Sequence, residues 1–364
     1  LLENVMIGEV WLCSGQSNMQ WPLSGGVNRG EEEIAEADLP DLRLFQVERR
    51  SAEAEQIDLQ GKWQVCNPET VKNFSAVGYY FAKQIQQNLK VPVGIINSSW
   101  GGTPAEAWIP EKYFIASDSL RVASEMLKPM PWGPQKPSLV YNAMIDPIKH
   151  VKLAGVIWYQ GEDNTVNAKY YELVLSKLIA SWRDLWKVEL PFYYVQIAPY
   201  AYGEPEQGVQ VREAQRRVMK RVANSGMVVI SDLADLDDIH PKEKLKVGDR
   251  LARLALKKHY NRLDELVESP ELSGIAIEKN EMYVRFDHNE GLHFKPDSES
   301  LFELAGADGI FYPARARIKN DQIVLVSKKV KEPFFVRFAW GNTSISNLFN
   351  AAGLPASSFN TLSP

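Results

Sequence analysis

Up to Tyr260, short apolar runs alternate along the chain with stretches in which apolar residues recur at helical spacing. The helical period is clearest from Phe74 to Leu89 and from Tyr171 to Trp182, and an amphipathic pattern from Pro241 to Tyr260 predicts another helix. This alternation is typical of a parallel sheet with crossover helices. The predicted strands are Val5–Cys13, Leu42–Val47, Val93–Asn97, Leu153–Tyr159, Phe192–Ala198 and Met227–Ser231.

After Tyr260 the pattern changes to short β-type runs separated by turn signals such as Lys279-Asn280. The runs are Ile275–Glu278, Met282–Phe286, Gly309–Arg317, Gln322–Val326 and Phe334–Trp340. They predict a small antiparallel, β-sandwich-like domain. With a boundary near Arg262–Pro270, we expect a larger α/β domain over residues 1–262 and the β domain over 266–364.

Composition limits the function. With 364 residues, 45% of them hydrophobic, the chain can bury a large core. A net charge of -5 without a lysine or arginine run argues against nucleic acid or an anionic membrane as the main partner. No apolar stretch approaches the length of a membrane span, and two cysteines cannot form a disulfide framework. A small substrate, neutral or singly charged, is therefore expected.

Ser17 lies where the first apolar run gives way to a helix, within Leu12–Met19. A serine hydroxyl needs a positioned base to become a nucleophile, and one of the five histidines, His240, follows an acidic pair. On spacing, Asp237 is expected to orient the His240 ring, because Asp238 would point elsewhere from a turn. Each segment alone also has a plain structural explanation: Ser17 could cap a helix, and 237–241 could be a solvated loop.

Four blocks of sequence together resemble one family. They are Gly8–Met19, Asn97–Pro104, Trp158–Asn164 and Asp237–Pro241. In this order they are similar to the blocks of the sialate O-acetylesterase family, within the SGNH (GDSL-like) hydrolase superfamily. The third block departs from the common Gly-x-Asn-Asp of that superfamily, since it contains Gln-Gly-Glu-Asp-Asn. The departure leaves open which side chain of this block binds the oxyanion.

The resemblance implies an α/β, SGNH-hydrolase (flavodoxin-like) fold with helices on both faces of the sheet. It also implies Ser17 as nucleophile, His240 as base and Asp237 as the acid that orients it. Expected oxyanion donors are the Ser17 amide, Gly102 in the second block and a third donor from the third block. For the third, Gln160 is favoured over Asn164. No cofactor or metal is expected, because the histidines are scattered and no H-E-x-x-H or paired C-x-x-C occurs.

Tryptophans beside the blocks could present a ring face to a sugar. Trp100, Trp158 and Trp21 are candidates, although core packing is the commoner role of such a residue. Trp132 lies in a proline-rich loop, 129–134, which is expected at the surface and therefore at the rim of a site.

The resemblance implies a carbohydrate O-acetylesterase with 9-O-acetylated sialic acid as leading substrate and a secreted or periplasmic location. An acetylxylan esterase is the alternative within enzymes. A non-catalytic carbohydrate-binding protein on an esterase scaffold is the alternative from another class, and it would keep the pocket without bringing Ser17 and His240 within hydrogen-bond reach.

Overall fold

The structure, a computed structural model, describes residues 4–362. Its larger sheet has seven strands, in the order β3-β2-β4-β1-β5-β6-β7. The strands are β1 Glu9–Gly15, β2 Leu39–Gln46, β3 Trp63–Cys66, β4 Val93–Ser99, β5 Gly155–Tyr159, β6 Phe192–Val195 and β7 Ser225–Val228. All neighbours pair in parallel except the edge strand β3, which is antiparallel to β2. The predicted parallel sheet is confirmed.

Helices cover both faces of this sheet. The α-helices are α1 Ser17–Gln20, α2 Gly30–Ala35, α3 Pro68–Val71, α4 Ala76–Leu89, α5 Glu111–Ile115, α6 Asp118–Glu125, α7 Tyr171–Trp186, α8 Gln207–Arg221 and α9 Lys244–Lys258. Shorter 3-10 helices are Ala105–Trp108, Asp146–Ile148, Glu162–Tyr170 and Ser231–Leu233, and Tyr141–Ile145 is a π-helix. None of the helices within residues 4–362 is long and apolar enough to cross a bilayer.

Alternation along the central strands divides the core in two. Trp11 and Ile157 belong to the apolar cluster that includes α4 and α9, whereas Leu12, Val156 and Trp158 belong to the cluster that includes α7 and part of α8. Successive residues of a strand point to opposite faces, so a strand buried on both faces needs a continuous apolar run. Because the central strands have such continuous apolar runs, they could be predicted from the sequence.

The strand order places the third parallel strand, β4, between β2 and β1. The flavodoxin order instead has the first strand between the second and third. The fold class is the expected one, with a parallel sheet between helices, while its strand order departs from the flavodoxin pattern.

The C-terminal region is antiparallel, as predicted. It forms two four-stranded sheets, in the orders β13-β14-β9-β8 and β12-β11-β15-β17, and a pair, β10-β16. The strands are β8 Glu271–Glu278, β9 Glu281–Asp287, β10 His293–Phe294, β11 Phe302–Ala305, β12 Phe311–Pro313, β13 Arg315–Lys319, β14 Gln322–Val326, β15 Phe335–Phe338, β16 Leu348–Phe349 and β17 Phe359–Asn360. These strands enclose their own apolar cluster, with Phe302, Leu325 and Phe338 fully buried. The division into domains at 262–266 stays a prediction.

Strand register brings three of the sequence blocks to one edge of the sheet. Gly15 at the end of β1 is level with Ser99 of β4 and with Tyr159 of β5. The segments that follow these strands therefore meet beyond their carboxyl ends, where open α/β sheets bind ligands.

Candidate active site

The chain turns sharply from β1 into α1 at Gly15. Its φ is +137°, and a Cβ there would lie 2.1 Å from the Tyr159 carbonyl oxygen, so only glycine fits. The N-cap of α1 is Gln16, which makes no capping bond through its side chain, and Ser17 is the first helical residue. The Ser17 hydroxyl is therefore not a helix cap.

Ser17 and His240 are within hydrogen-bond distance. His240 Nε2 lies 2.9 Å from Ser17 Oγ, although 223 positions separate the two residues in sequence. The Trp21 ring stacks on the imidazole, with centroids 4.3 Å apart and an interplanar angle of 25°. This contact fixes the plane in which the His240 ring lies.

The electrostatic surroundings favour a neutral imidazole at His240. Burial lowers the His240 pKa from its ordinary value of 6.5, the positive charge of Lys244 lowers it further, and the Asp238 carboxylate opposes both effects. A neutral imidazole is the form that can accept the Ser17 proton.

The carboxylate nearest the imidazole belongs to Asp238, not to the expected Asp237. Asp238 Oδ1 lies 3.4 Å from His240 Nδ1 and accepts a hydrogen bond of 2.9 Å from the His240 amide. Because it accepts from the backbone amide of His240, the Asp238 side chain is turned toward the His240 ring. The Asp237 side chain is exposed, and its amide donates to Asp235 Oδ1. Spacing in the sequence does not reveal this local turn. The expectation that Asp237 orients His240 is corrected, since the nearer carboxylate is that of Asp238.

Two of the expected oxyanion donors belong to Ser17 itself and to the loop that lies against it. Within residues 4–362, the Ser17 amide donates to no other group. The loop after β4 lies against Ser17, since a Cβ at Gly101 would be 3.1 Å from Ser17 Cβ. The next residue, Gly102, has a φ of +69°, and a Cβ there would be 2.8 Å from the Cβ of Trp132. Glycine is thus needed at 102 for both conformation and space.

The side-chain amides of Gln160 and Asn164 are not available to an oxyanion, contrary to expectation. Both residues are fully buried. Gln160 Nε2 donates to Asn164 Oδ1 at 2.7 Å and to the Thr103 carbonyl at 3.3 Å. Asn164 Nδ2 donates to Glu106 at 2.8 Å and to Asn167 at 3.0 Å. Each amide group has two hydrogens, and all four are used to hold the loops together.

Gln16 is a candidate that the sequence reasoning missed. Its Oε1 accepts from the amides of Gly161 and Asp163, at 3.3 and 3.2 Å, which ties the nucleophile segment to the third block. In the part of the chain that the structure describes, Gln16 Nε2 has no hydrogen-bond partner. The signal in the sequence was its position directly before Ser17.

The tryptophans fall into two groups. Trp158 is fully buried and packs edge-on between Trp108 and Trp182, so it is a core residue and the expectation that it binds substrate is wrong. Its side chain belongs to the apolar cluster that includes α7. Trp21, as described, packs on His240.

Trp132 is 65% exposed and its loop lies over the second block. Trp100 Nε1 donates to the Trp132 carbonyl at 3.0 Å. Gln135 Nε2 donates to the Gly102 carbonyl at 2.7 Å and to Asp163 at 3.2 Å. These bonds fasten the loop beside Gly102, and they bring Trp100 and Trp132 together at its surface.

Three buried polar residues, Asn18, Glu162 and Lys244, are hydrogen-bonded to one another beside the Ser17–His240 pair. The sequence analysis did not predict them. Asn18 Nδ2 donates to Glu162 Oε1 at 2.6 Å and to the Ile239 carbonyl at 3.0 Å, while Lys244 Nζ donates to Asn18 Oδ1. Burial raises the pKa of Glu162 to about 7 and lowers the pKa of Lys244 to about 7. The spacing of Asn18, Glu162 and Lys244 in the sequence carries no sign of this contact.

Residues 4–362 contain no group of three or more His, Cys, Asp or Glu side chains placed to hold a metal ion.

A Ser–His pair at the carboxyl edge of a parallel sheet is an arrangement found in esterases. The chain matches the family described as carbohydrate esterase, sialic acid-specific acetylesterase, over residues 7–257, and it belongs to that family. The family resemblance seen in the four sequence blocks is thereby confirmed.

Particular relatives agree with this membership. The chain is 29% identical to the sialate O-acetylesterase of Rattus norvegicus and 30% identical to that of Homo sapiens, in matches covering 84% of this chain. It spans 66% and 63% of the length of these two relatives, just under two thirds. A crystal structure of a carbohydrate acetylesterase from Xanthomonas citri superimposes with a TM-score of 0.88 at 33% identity, covering 97% of this chain and 80% of the other.

Proposed function

We propose that this chain is a carbohydrate O-acetylesterase that releases acetate from O-acetylated sugars, with 9-O-acetylated sialic acid as the leading substrate. The observation that carries the proposal is the 2.9 Å contact between His240 Nε2 and Ser17 Oγ at the start of α1. Membership of the acetylesterase family supports both the reaction and the substrate.

The reaction follows from that contact. Ser17 Oγ bonds to the acetyl carbon while His240 Nε2 takes its proton, and the carbonyl electron pair moves onto oxygen. The tetrahedral intermediate then expels the sugar oxygen, which receives the proton from His240. Water, activated by His240 in the same way, releases acetate from the acyl-enzyme and restores Ser17.

Charge on the intermediate needs prearranged donors. The Ser17 amide and the Gly102 amide are proposed as two of them, because the first has no other partner in residues 4–362 and the second lies on the loop against Ser17. Gln16 Nε2 is proposed as the third, in place of Gln160 and Asn164. Loss of one such donor costs a factor of about 100 to 1,000 in kcat. With kcat expressed per unit of folded protein, Gln16→Ala should therefore lower kcat far more than Gln160→Glu does.

The decisive experiment compares acetate release from 9-O-acetylated sialic acid and from acetylated xylan, with Ser17→Ala as control. Faster release from the sialic acid, abolished by Ser17→Ala, is expected. Full activity of Ser17→Ala, or no acetate from any acetyl ester, would overturn the esterase proposal. A non-catalytic sugar-binding role is disfavoured by the short Ser17–His240 distance.

Acetylated plant polysaccharide is the second candidate substrate, and Trp132 favours it. An exposed ring beside Gly102 offers a surface on which the C–H face of a polysaccharide unit can pack. Xylan as the faster substrate in the same comparison would select this candidate.

The family resemblance also supports a secreted or periplasmic location for the enzyme. Fractionation of cells that produce the natural protein would test this, with activity expected outside the cytoplasm.

A further inference from the structure

A single buried side chain connects the nucleophile segment to the loop that carries the base. Asn18 is 1% exposed and directly follows Ser17. Its Nδ2 donates to the carbonyl of Ile239, the residue directly before His240, at 3.0 Å. The two segments that supply Ser17 and His240 are thus joined within one residue of each functional group.

The peptide group between Ile239 and His240 is held at both ends. Asn18 binds its carbonyl oxygen, and Asp238 Oδ1 accepts from its N–H at 2.9 Å. With both polar ends of the peptide fixed, the direction in which the His240 side chain leaves the backbone is also fixed. The ring plane is set separately by the Trp21 stack.

Lys244 and Glu162 determine which way the Asn18 amide faces. Lys244, fully buried, donates to Asn18 Oδ1, while Glu162 Oε1 accepts from Asn18 Nδ2 at 2.6 Å. A flipped amide would set its NH2 against the Lys244 ammonium and its oxygen against two acceptors, Glu162 and the Ile239 carbonyl. Unpaired buried polar groups are costly, so only the observed orientation is favourable.

We propose that Asn18, oriented by Lys244 and Glu162, is the positioning residue that holds His240 in hydrogen-bond reach of Ser17. Within residues 4–362, its side chain makes no hydrogen bond to Ser17 Oγ or to the His240 ring, and it acts through the backbone of Ile239. This inference rests on the proposed function for its catalytic readout, although the Ser17–His240 contact on which it acts is a feature of the structure itself.

The main test is Asn18→Ala, assayed on a small acetyl ester. Because a displacement of about 1 Å can cost a factor of about 100 in rate, kcat is expected to fall about 100-fold with KM within about threefold. The rate of Ser17 labelling by a fluorophosphonate should fall in parallel. This labelling needs the Ser17–His240 pair and no sugar, so a failure of the proposed substrate would leave the positioning test intact.

Asn350→Ala is the matched control. Asn350 is also fully buried, and its Nδ2 also donates two hydrogen bonds, in this case to the backbone carbonyls of Glu268 at 2.9 Å and His288 at 3.1 Å in the C-terminal region. It should lower the melting temperature as Asn18→Ala does while leaving kcat unchanged. A purely structural role for Asn18 would make the two variants alike in both measurements.

Lys244→Met provides the second variant, in case Asn18→Ala does not fold. This substitution removes the hydrogen bond that orients the Asn18 amide but leaves the atoms of the Asn18–Ile239 bond in place. About a tenfold loss of kcat at constant KM is expected. The proposal is overturned if a folded Asn18→Ala or Lys244→Met keeps kcat within about threefold of the native value. A rise in KM with unchanged kcat would overturn it equally, since that assigns the residues to substrate binding.

Discussion

At the scale of single residues, the proposed function makes the protonation state of His240 decide the reactivity of Ser17. Protonated His240 cannot accept the serine proton, so kcat/KM falls as the pH drops through the His240 pKa. Burial and the Lys244 charge both lower this pKa below its ordinary value of 6.5. Activity should therefore persist to lower pH than an unperturbed histidine would allow.

Lys244→Met tests this electrostatic effect. Removing a positive charge beside His240 raises the His240 pKa, so the acidic limb of the kcat/KM profile should move to higher pH. Lys246→Met, an exposed lysine on the same helix, is the control and should leave the limb in place. A limb that stays fixed or moves to lower pH in Lys244→Met would contradict the prediction.

The orienting acid is predicted to be Asp238. Asp238→Asn should reduce kcat at least about tenfold, though less than the factor of about 10,000 known for a buried triad aspartate, because its side chain is 37% exposed. Asp237→Asn should change kcat less than about twofold. Steady-state kinetics of the two variants decide between them, and the opposite ranking would restore the assignment based on spacing.

Ser17 and His240 could be paired from sequence because the chain offers only five histidines and His240 follows an acidic pair. Asp238, Gln160 and Trp158 could not be judged in this way. Which of two adjacent carboxylates faces a ring depends on one hydrogen bond in a turn, and whether an amide is free depends on residues distant in sequence. Trp158 lies in a strand that is buried throughout, so the continuous apolar run does not show which of its side chains could reach a substrate.

At the scale of elements, the turn from β1 into α1 depends on Gly15. In Gly15→Ala, the strained φ alone costs about 1–3 kcal/mol, and the new methyl would lie 2.1 Å from the Tyr159 carbonyl oxygen. We expect greater destabilisation than that range and loss of activity, because α1 and Ser17 must move.

Gly26→Ala is the matched control for Gly15→Ala. Gly26 also has a positive φ, +74°, but nothing lies within 4 Å of a Cβ built there. It should cost only about 1–2 kcal/mol and keep activity. Urea unfolding together with ester hydrolysis measures both effects, and equal losses in the two variants would show that the close contact with Tyr159 is unimportant.

The strands and helices that could be predicted are those with strong periodicity. The six predicted strands of the larger sheet all coincide in part with observed strands, and α4, α7 and α9 follow their apolar spacing. Strand β3 was missed because it is a four-residue edge strand whose Trp63 is exposed, so it lacks a buried apolar run. The order of the strands in the sheet could not be predicted, because tertiary packing determines which strands are neighbours.

At the scale of the whole molecule, α8 connects the larger sheet to the C-terminal region through buried arginines. Arg212 is fully buried and donates to the carbonyls of Gly341 and Asn342, at 2.5 and 3.3 Å. Arg216 is bound by Glu213 of its own helix and by Glu271 at the start of β8. This contact supports a structural role for the C-terminal region, whose separate function stays untested.

The Arg216–Glu271 pair should contribute to the stability of the whole chain without affecting the reaction. Arg216 Nη1 lies 2.6 Å from Glu271 Oε1, and both side chains are less than a tenth exposed. Removing one partner of a buried ion pair costs about 3–5 kcal/mol where the remaining charge is left unpaired, whereas Arg216 keeps its bonds to Glu213, which reduces the cost. Glu271→Gln should therefore lower the free energy of unfolding by up to this amount, while kcat below the unfolding transition stays unchanged.

Glu265→Gln is the control for that variant, because it breaks an exposed pair with Arg253 in which the side chains are 62% and 37% accessible. Exposed pairs are worth less than about 1 kcal/mol. Chemical denaturation followed by fluorescence, with activity read at each denaturant concentration, compares the two. If Glu271→Gln is no less stable than Glu265→Gln, α8 holds the C-terminal region through its other contacts, chiefly those of Arg212. If it loses activity before it unfolds, the C-terminal region contributes to the geometry of the site as well as to stability.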